Sequence, residues 1–515
     1  MGKDYKKIDL GKRNDYEEGK LYGIEHGDKL ILVTKTQKGL CVCGGECPHY
    51  GAPLNEGTLE GTTLTCPWHN ARFDVESGKV LDPPALDDLE TYSVEGDEEL
   101  TVTGKKEPRI PGPGALSEKR FVMVGAGASA NAAAEMLRRE GFDGHITLIT
   151  AEKDTPYDRT IISKGLISGA MPEKLLPLRG NKFYKELKID IKTGLTVTEV
   201  DGDNRTVICD NGKKFEGDAV LLAAGGVPKK LDVPGIDSPN VYTVRSAEGA
   251  RRIKKELKKK ERVAIIGAGF IGMELAVDLA GGGWKVSLAA PETGPMALLF
   301  GERIADRIRG VHEPLGITSY FGNTLEKIQE STFGELELYL SGGETITADA
   351  AIIAVGIDPA VSFLEHSGFT VKDGIPVARN FETEKPGIFA CGDIALYPYR
   401  HIDEPVRIEH WVEAERQGQS AARGMLGKQA EEDKAPFFWT KQGEFALKYV
   451  GFPVEWDRIA YRGKVETEPF LAGFYRNDKL IGAASFGMQD ELIEMEEIIT
   501  QGVKLTYDNF GRSEI

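Results

Sequence analysis

Phe121-Val122-Met123-Val124-Gly125-Ala126-Gly127-Ala128-Ser129-Ala130 and Val263-Ala264-Ile265-Ile266-Gly267-Ala268-Gly269-Phe270-Ile271-Gly272 are two copies of one local plan. In each, four apolar residues read as a buried strand that runs into a glycine turn. After the first copy an Ala/Leu-rich helical pattern follows, Asn131 to Arg139. The spacing is G-x-G-x-x-A in the first copy and G-x-G-x-x-G in the second. Glycine is needed there because the turn is tight and the backbone must come close to a pyrophosphate at a helix N-terminus. Glu152, after the apolar run Ile146 to Ile149, is placed to accept from ribose hydroxyls, and Glu274 follows the second copy. The copies start 142 residues apart (263 − 121), so two dinucleotide-binding folds in tandem are expected. The alternation of β-like runs and helical patterns around them argues for parallel sheets with crossover helices.

Outward from this pair the texture changes twice. The chain has 515 residues, which at about 100 to 200 per domain allows three to five domains. Residues 1–105 read as a small all-β module, with strands Leu30 to Thr34, Leu40 to Cys43, Thr62 to Cys66 and Leu100 to Thr103 separated by turn signals. Residues 106–117 read as a linker, because Pro108-Arg109-Ile110-Pro111-Gly112-Pro113-Gly114 suits neither helix interior nor central strand. From about Ala435 an aromatic cluster, strands Phe445 to Val450 and Phe470 to Tyr475, and a closing helix Asp490 to Gln501 suggest an α+β domain without a recognisable chemical motif. The basic stretch Arg251 to Arg262 reads as a solvated helix face and is given no function.

Composition narrows the classes. Lys+Arg 64 against Asp+Glu 81 gives a net charge of −17, so nucleic acid is not an expected partner. Met1 to Leu10 is polar, and no run approaches 18 apolar residues, so neither a secretory signal nor a membrane span is expected, and a cytoplasmic location is the simplest expectation. Glycine, 61 of 515 residues, exceeds typical usage without any repeat to absorb it. Four of the six cysteines, Cys41, Cys43, Cys47 and Cys66, fall within the first 66 residues, which suggests a metal rather than a disulfide scaffold. Cys209 and Cys391 stand alone and read as packing residues. Neither nucleotide segment holds a C-x4-C or C-x2-C pair, so disulfide reductase chemistry has no thiols to use.

Cys47-Pro48-His49 and Cys66-Pro67-Trp68-His69 each supply one thiolate and one imidazole, with sixteen residues between the motifs. Tetrahedral zinc uses the same atoms, but zinc modules keep like ligands in pairs. One Cys and one His per loop suits a cluster whose two irons need different ligands. In a Rieske [2Fe-2S] centre two Cys hold one iron and two His the other, here Cys47 with Cys66 and His49 with His69. The surrounding Cys-Pro-His-Tyr-Gly-Ala-Pro-Leu (47 to 54) and Cys-Pro-Trp-His-Asn-Ala-Arg-Phe-Asp (66 to 74) resemble the Rieske-type ferredoxins. High-potential members have an extra Cys on each loop, where this chain has Ala52 and Trp68, and a Ser and a Tyr hydroxyl where it has Ala71 and Phe73. Fewer hydrogen bonds to the sulfurs place the expected potential toward the low end of the Rieske range.

Tyr157-Asp158-Arg159-Thr160-Ile161-Ile162-Ser163-Lys164, Ala223 to Pro228, Ala354 to Pro359 and Gly387-Ile388-Phe389-Ala390-Cys391-Gly392-Asp393 resemble the two-dinucleotide-binding flavoproteins. Nearly the whole chain resembles the ferredoxin reductases of aromatic-ring oxygenases and the Rieske-containing apoptosis-inducing-factor-like flavoproteins. The resemblance implies an all-β Rieske module, then tandem Rossmann-like FAD and NAD(P)H domains, then the α+β C-terminal domain: FAD in 118–243 and 372–428, NAD(P)H in 244–371, and the last domain in 429–515. It implies that Gly125, Gly127, Ala130, Glu152, Arg159, Gly392 and Asp393 hold FAD, that Gly267, Gly269 and Gly272 hold NADH or NADPH, and that Lys164 pairs with Glu274 at the flavin. Arg407-Ile408-Glu409-His410-Trp411 matches a flavin-face segment, with Trp411 against the nicotinamide. At the end of Lys285 to Ala290, where an acid would select NADH, the chain has Ala290; Glu292 lies two residues on and no Arg or Lys follows until Arg303, so NADH is favoured.

The expected function is therefore an NAD(P)H-dependent reductase that passes electrons through FAD to its own Rieske cluster and on to an external acceptor protein, for which an oxygenase or a cytochrome are candidates. A homodimer is compatible with this reading. The alternative is a redox-responsive signalling protein with slow turnover. An oxygenase would need a second metal constellation that the remaining histidines do not supply.

Overall fold

A computed structural model describes residues 8–96, 99–106, 110, 112–402, 404–430 and 434–511. Met1 to Lys7 of the polar N-terminus, and Pro108, Arg109 and Pro111 of the expected linker, lie outside the described residues. The chain divides into two compact units, Met1–Pro113 with Arg138–Gly141, and Gly114–Leu137 with Phe142–Ile515.

The first unit is all β, as its alternating strands require. An antiparallel sheet runs in the order Ile8–Lys12, Glu99–Lys106, Thr91–Glu95, Gly39–Gly44, Lys29–Thr36, Leu21–His26. Successive side chains of Lys29–Thr36 point to opposite faces. Ile31 and Val33 pack with Val42, Leu100 and Val102, while Leu32 packs with Cys43, Leu54 and Leu64 on the other side. Four short strands, Thr58–Glu60, Thr63–Thr65, Arg72–Asp74 and Val80–Asp82, make a second sheet. The Cys47 loop leaves the strand Gly39–Gly44, and the Cys66 loop joins Thr63–Thr65 to Arg72–Asp74.

In the second unit the two glycine motifs occupy equivalent places in two parallel sheets. The first sheet runs Ile189–Thr193, His145–Thr150, Arg120–Val124, Ala219–Leu222, Ile388–Ala390. The second runs Val241–Thr243, Ala350–Ile353, Arg262–Ile266, Lys285–Ala290, Thr318–Phe321. Strands buried on both faces need continuous apolar runs, which both quoted stretches provide. Each motif leaves the carboxyl end of the middle strand, where neighbouring connections run to opposite sides and a crevice opens. The first sheet takes its last strand, Ile388–Ala390, from beyond the second sheet, so one fold interrupts the other. The chain leaves and returns along an antiparallel ribbon, Gly226–Pro228 with Ile357–Pro359.

One expected boundary moves. Val241–Thr243 pairs in parallel with Ala350–Ile353, so the second sheet opens before residue 244. Three residues carry no periodicity of their own, and only a partner over a hundred positions away assigns them.

The last sheet is antiparallel, in the order Phe437–Gln442, Phe445–Gly451, Lys479–Phe486, Phe470–Arg476, Arg458–Gly463. Helix Gln489–Gln501 lays Leu492, Met495, Ile498 and Ile499 on it, against Phe437, Leu471 and Ala483. Among the described residues no helix is long and apolar enough to cross a membrane.

Candidate functional site

The two Cys/His loops are built alike. Cys47 N–H donates to the Ala52 carbonyl and Cys66 N–H to the Ala71 carbonyl, both at 2.8 Å. One residue before each closure the backbone turns left-handed, at Gly51 (φ 77°) and Asn70 (φ 63°), two residue types that tolerate this conformation. The turns place Cys47 and Cys66 inside, 2% and 1% exposed, and leave His49 and His69 half-buried. The Cys47 thiol faces Cys66, and the backbone N–H groups of His49 and Tyr50 point to it. The Nδ1 atoms of His49 and His69 approach to 3.1 Å. Thiol thus faces thiol and imidazole faces imidazole. Among the described residues no three or more His, Cys, Asp or Glu close around one ion. Tetrahedral zinc requires such a convergence, whereas a two-iron cluster takes two protein ligands per iron. The residues fit the cluster. Ala52, Ala71 and Phe73 share the buried apolar group of the two cysteines and carry no hydroxyl. Cys41 is half-buried and Cys43 buried, both as free thiols.

In the second unit a cleft of about 750 Å³ is lined by Gly125, Gly127, Glu152, Arg159, Lys164, Gly269, Glu274, Asp393 and Trp411. The other named residues stand behind this lining. A Cβ on Gly267, at φ 116°, would lie 2.2 Å from the Ala354 carbonyl oxygen, and one on Gly125, at φ 114°, 2.2 Å from that of Ala223. A Cβ on Gly272 would lie 2.1 Å from the Gly267 carbonyl oxygen, and one on Gly392 2.7 Å from Ser129 Oγ. Gly125, Gly267 and Gly272 permit backbone to pack on backbone, and Gly392 leaves room for the Ser129 side chain. Ala130, at the third motif position of the first copy, is fully buried. Gly127 and Gly269 differ: a Cβ on either would meet nothing within 4 Å. The space in front of each is the cradle that a pyrophosphate needs, so both folds fit a dinucleotide.

Lys164 sits in a π-helical turn, Ile162–Leu166, where Gly165 takes φ 139°. Such turns interrupt regular helix and re-aim side chains. Lys164 Nζ donates to Glu274 Oε2 at 2.9 Å, and Ser163 Oγ donates to the same oxygen at 2.6 Å. Glu274 comes from helix Phe270–Gly281 of the second fold and is 4% exposed, so the pair joins the two folds inside the cleft. Asp393 accepts from Arg245 Nη2 at 3.1 Å. Glu152 accepts from Arg159 and, at 2.6 Å, from Tyr157 Oη. A carboxylate offers about four acceptor sites, so ribose hydroxyls still find lone pairs there. Trp411 begins helix Trp411–Met425 at the cleft wall.

The C-terminal domain, expected to carry no chemical role, reaches this site. Thr440 Oγ1 donates to Glu274 Oε1 at 3.0 Å, Lys164 Nζ lies 5.9 Å from the Trp439 ring centroid, and Phe438 lines the cleft. His410 also lines it, held by Tyr449 Oη, and burial pushes its pKa down to about 3. Arg245, Thr440 and Tyr449 carry no local pattern, and His410, inside the segment Arg407 to Trp411, takes its partner Tyr449 from the C-terminal sheet. Glu292 Oε2 is buried with no partner. The Cys391 thiol is pushed up to about 12 by burial, and Cys209 packs in a buried apolar cluster with Val200, Val207 and Val220.

Comparison with known proteins places each part of the chain in a family. The family model for pyridine nucleotide-disulphide oxidoreductases matches residues 119–418, that for the Rieske [2Fe-2S] domain residues 6–93, and that for the reductase C-terminal domain residues 437–512. The chain is 32% identical over 505 residues to apoptosis-inducing factor 3 of Mus musculus, covering 95% of this chain and 83% of that protein. It is 28% identical over 385 residues to the 3-phenylpropionate/cinnamic acid dioxygenase ferredoxin–NAD(+) reductase component of Photorhabdus laumondii, covering 75% and 97%. Among solved structures, the covalent putidaredoxin reductase–putidaredoxin complex superposes with a TM-score of 0.73 at 26% identity, covering 78% and 97%. A ferredoxin reductase from Rhodopseudomonas palustris gives 0.72 at 28% identity, covering 76% and 96%. The chain belongs to the pyridine nucleotide-disulphide oxidoreductase family, as an NAD(P)H- and FAD-dependent oxidoreductase of the ferredoxin reductase type that also carries a Rieske [2Fe-2S] domain.

Proposed function

We propose that electrons pass from NADH through FAD to the chain's own Rieske cluster, and from there to a redox protein such as an oxygenase or a cytochrome. When bound, the nicotinamide supplies a hydride, the flavin converts an electron pair to single electrons, and the [2Fe-2S] cluster carries one electron at a time. The observation that carries this reading is the Lys164–Glu274 pair, which joins the two nucleotide folds inside one cleft.

The chain's own residues bind and orient. Gly127 and Gly269 leave space for two pyrophosphates next to backbone N–H donors. Glu152 and Arg159 hold the adenosine ribose of FAD, and Asp393, steadied by Arg245, holds its polyol chain. Trp411, at the cleft wall, would lie against the nicotinamide. Lys164 presents a fixed positive charge where the flavin ring gains negative charge, and Glu274 holds that amine in place. Cys47 and Cys66, both buried, would hold one iron, and His49 and His69, half-buried, would hold the other. Glu292, with one buried oxygen unpaired, accepts from the ribose 2′-hydroxyl of NADH and disfavours a 2′-phosphate by charge repulsion. The residues assigned here belong to domains proposed at 1–105, 118–243 with 372–428, 244–371 (its sheet beginning at Val241) and 429–515. Cys41, Cys43, Cys209 and Cys391 form no disulfide among the described residues, which suits the cytoplasm, where cysteines stay reduced.

Anaerobic titration of the holoprotein with NADH, followed by optical and EPR spectroscopy, tests the circuit. The flavin should bleach and a reduced-cluster signal should appear within the same titration; flavin reduction with a permanently oxidised cluster refutes intramolecular transfer. The likeness to apoptosis-inducing factor 3 favours one second reading, a redox-responsive signalling protein. Slow turnover with ferricyanide, together with a long-lived complex of reduced flavin and nicotinamide, would select it.

A further inference from the structure

Glu274 is held by three parts of the chain. Ser163 and Lys164 donate to Oε2 from the first nucleotide fold. The other oxygen, Oε1, faces the C-terminal sheet and accepts from Thr440 Oγ1 at 3.0 Å. Thr440 is 1% exposed, and its hydroxyl hydrogen goes to Glu274 because a carboxylate oxygen accepts, while Gln442 Nε2, which can only donate, gives a hydrogen to Thr440 Oγ1 at 3.0 Å. Gln442 is fully buried and is fixed at its other end, where its Oε1 lies 3.0 Å from His312 Nε2. An amide oxygen only accepts, so His312 Nε2 carries the hydrogen. His312 Nδ1 has no partner, and burial lowers the pKa of this imidazole, so it stays neutral in the one tautomer that the chain needs. Every hydrogen in the series His312, Gln442, Thr440 points toward the Glu274 carboxylate.

We infer that Thr440 is a positioning residue for flavin reduction, locked by Gln442 and His312, and that through it the C-terminal domain fixes the Lys164–Glu274 pair. The inference rests on the reading that this pair serves the flavin. Without Thr440, Glu274 Oε1 becomes a buried acceptor with no donor, and the carboxylate turns or takes up water to recover one. Either change releases Lys164 Nζ from its fixed place. Gln442 adds what a lone threonine would lack, because swinging Oγ1 away from Glu274 about the Cα–Cβ bond then loses two hydrogen bonds instead of one.

The test uses the full-length holoprotein. Thr440→Val keeps the shape and removes the donor. Loss of one hydrogen bond to a buried charge predicts flavin reduction by NADH slowed by about 10- to 100-fold, with NADH affinity within about two-fold. In the same sample without NADH, a water-soluble acylating reagent should modify the Lys164 amine faster, read by peptide mass spectrometry. Thr440→Ser should restore both properties. Gln442→Met, which frees the hydroxyl rotor, should give about a three-fold slowing and a smaller rise in labelling. Wild-type labelling and wild-type reduction rates in Thr440→Val overturn the inference, as does a failure of serine to rescue. Lys164→Ala separates the two levels: if it leaves flavin reduction unchanged, the assignment of the pair to the flavin is what fails, whereas a slow Lys164→Ala beside a fast Thr440→Val condemns only the role of Thr440.

Discussion

Gly269→Ala should leave the protein folded and weaken NADH binding by about 30-fold, while Gly267→Ala, two residues earlier, should damage the fold. Gly269 has φ −79° and ψ −176°, an extended conformation open to alanine, and its new Cβ would meet no protein atom within 4 Å. Removing glycine's freedom from the unfolded chain stabilises by about 0.4–1 kcal/mol at such a position. The methyl group instead occupies the place of the pyrophosphate and separates it from the N–H groups at the start of helix Phe270–Gly281. Two charge-assisted hydrogen bonds are at stake; weakening each by about 1 kcal/mol totals about 2 kcal/mol, or roughly 30-fold in dissociation constant. Gly267 has φ 116°, and its Cβ would lie 2.2 Å from the Ala354 carbonyl oxygen. Left-handed strain and a backbone clash together cost about 3 kcal/mol or more. Differential scanning fluorimetry and NADH titration of flavin absorbance read both effects. Gly269→Ala should unfold at or above the wild-type temperature, keep FAD and need about 30-fold more NADH; Gly267→Ala should unfold at a clearly lower temperature. Wild-type NADH binding by Gly269→Ala would refute the assignment of this open space to the nucleotide.

Three further outcomes follow from other parts of the chain. Phe73→Tyr places a hydroxyl in the buried group around Cys47 and Cys66; one hydrogen bond of about 1 kcal/mol to the reduced cluster should raise its midpoint by roughly 40 mV at 59 mV per tenfold, to be read by EPR-monitored potentiometry, and an unchanged midpoint would refute the link between the expected low potential and the missing hydroxyl. Glu292→Ala removes the unpaired buried oxygen and should raise the KM for NADH by about ten-fold while leaving NADPH unchanged or improved; equal losses for both cofactors would disprove ribose recognition. His410 is pushed from 6.5 to about 3 by burial, so the unfolded chain binds the proton that the folded chain refuses. Its stabilising contribution is complete above pH 6.5 and declines as pH falls toward 3, by roughly 2 kcal/mol at pH 5, and His312 is shifted in the same direction. The unfolding temperature should therefore fall between pH 6.5 and 5, less steeply in His410→Phe than in the wild type; identical slopes would show that His410 does not titrate on unfolding.

Much of this protein was legible before any contact was known, for a physical reason. A tight turn toward a phosphate, or a thiolate and an imidazole presented by one loop, must be encoded within a few residues, because backbone conformation and ligand identity are local properties. Hence the spacing around Gly125, Gly267, Cys47 and Cys66 was sufficient to place the two nucleotide folds and the Cys/His loops. The choice between zinc and a two-iron cluster also began in the sequence and was sharpened by the pairing of like ligands, thiol with thiol and Nδ1 with Nδ1.

The tertiary structure decided whatever depends on partners remote in the chain. Val241–Thr243 joins the second sheet through a strand that begins at Ala350. Arg245 meets Asp393 across 148 positions, and Thr440 meets Glu274 across 166. No local period marks such residues: a threonine in a strand, or a histidine on a helix, reads the same whether its polar atom faces solvent or a buried carboxylate. The sequence by itself determined which chemistry the chain can host, since that rests on glycine conformation and ligand type. Only the folded chain determined what holds the Lys164–Glu274 pair in place, since a buried charge takes its donors from whichever elements the packing brings to it.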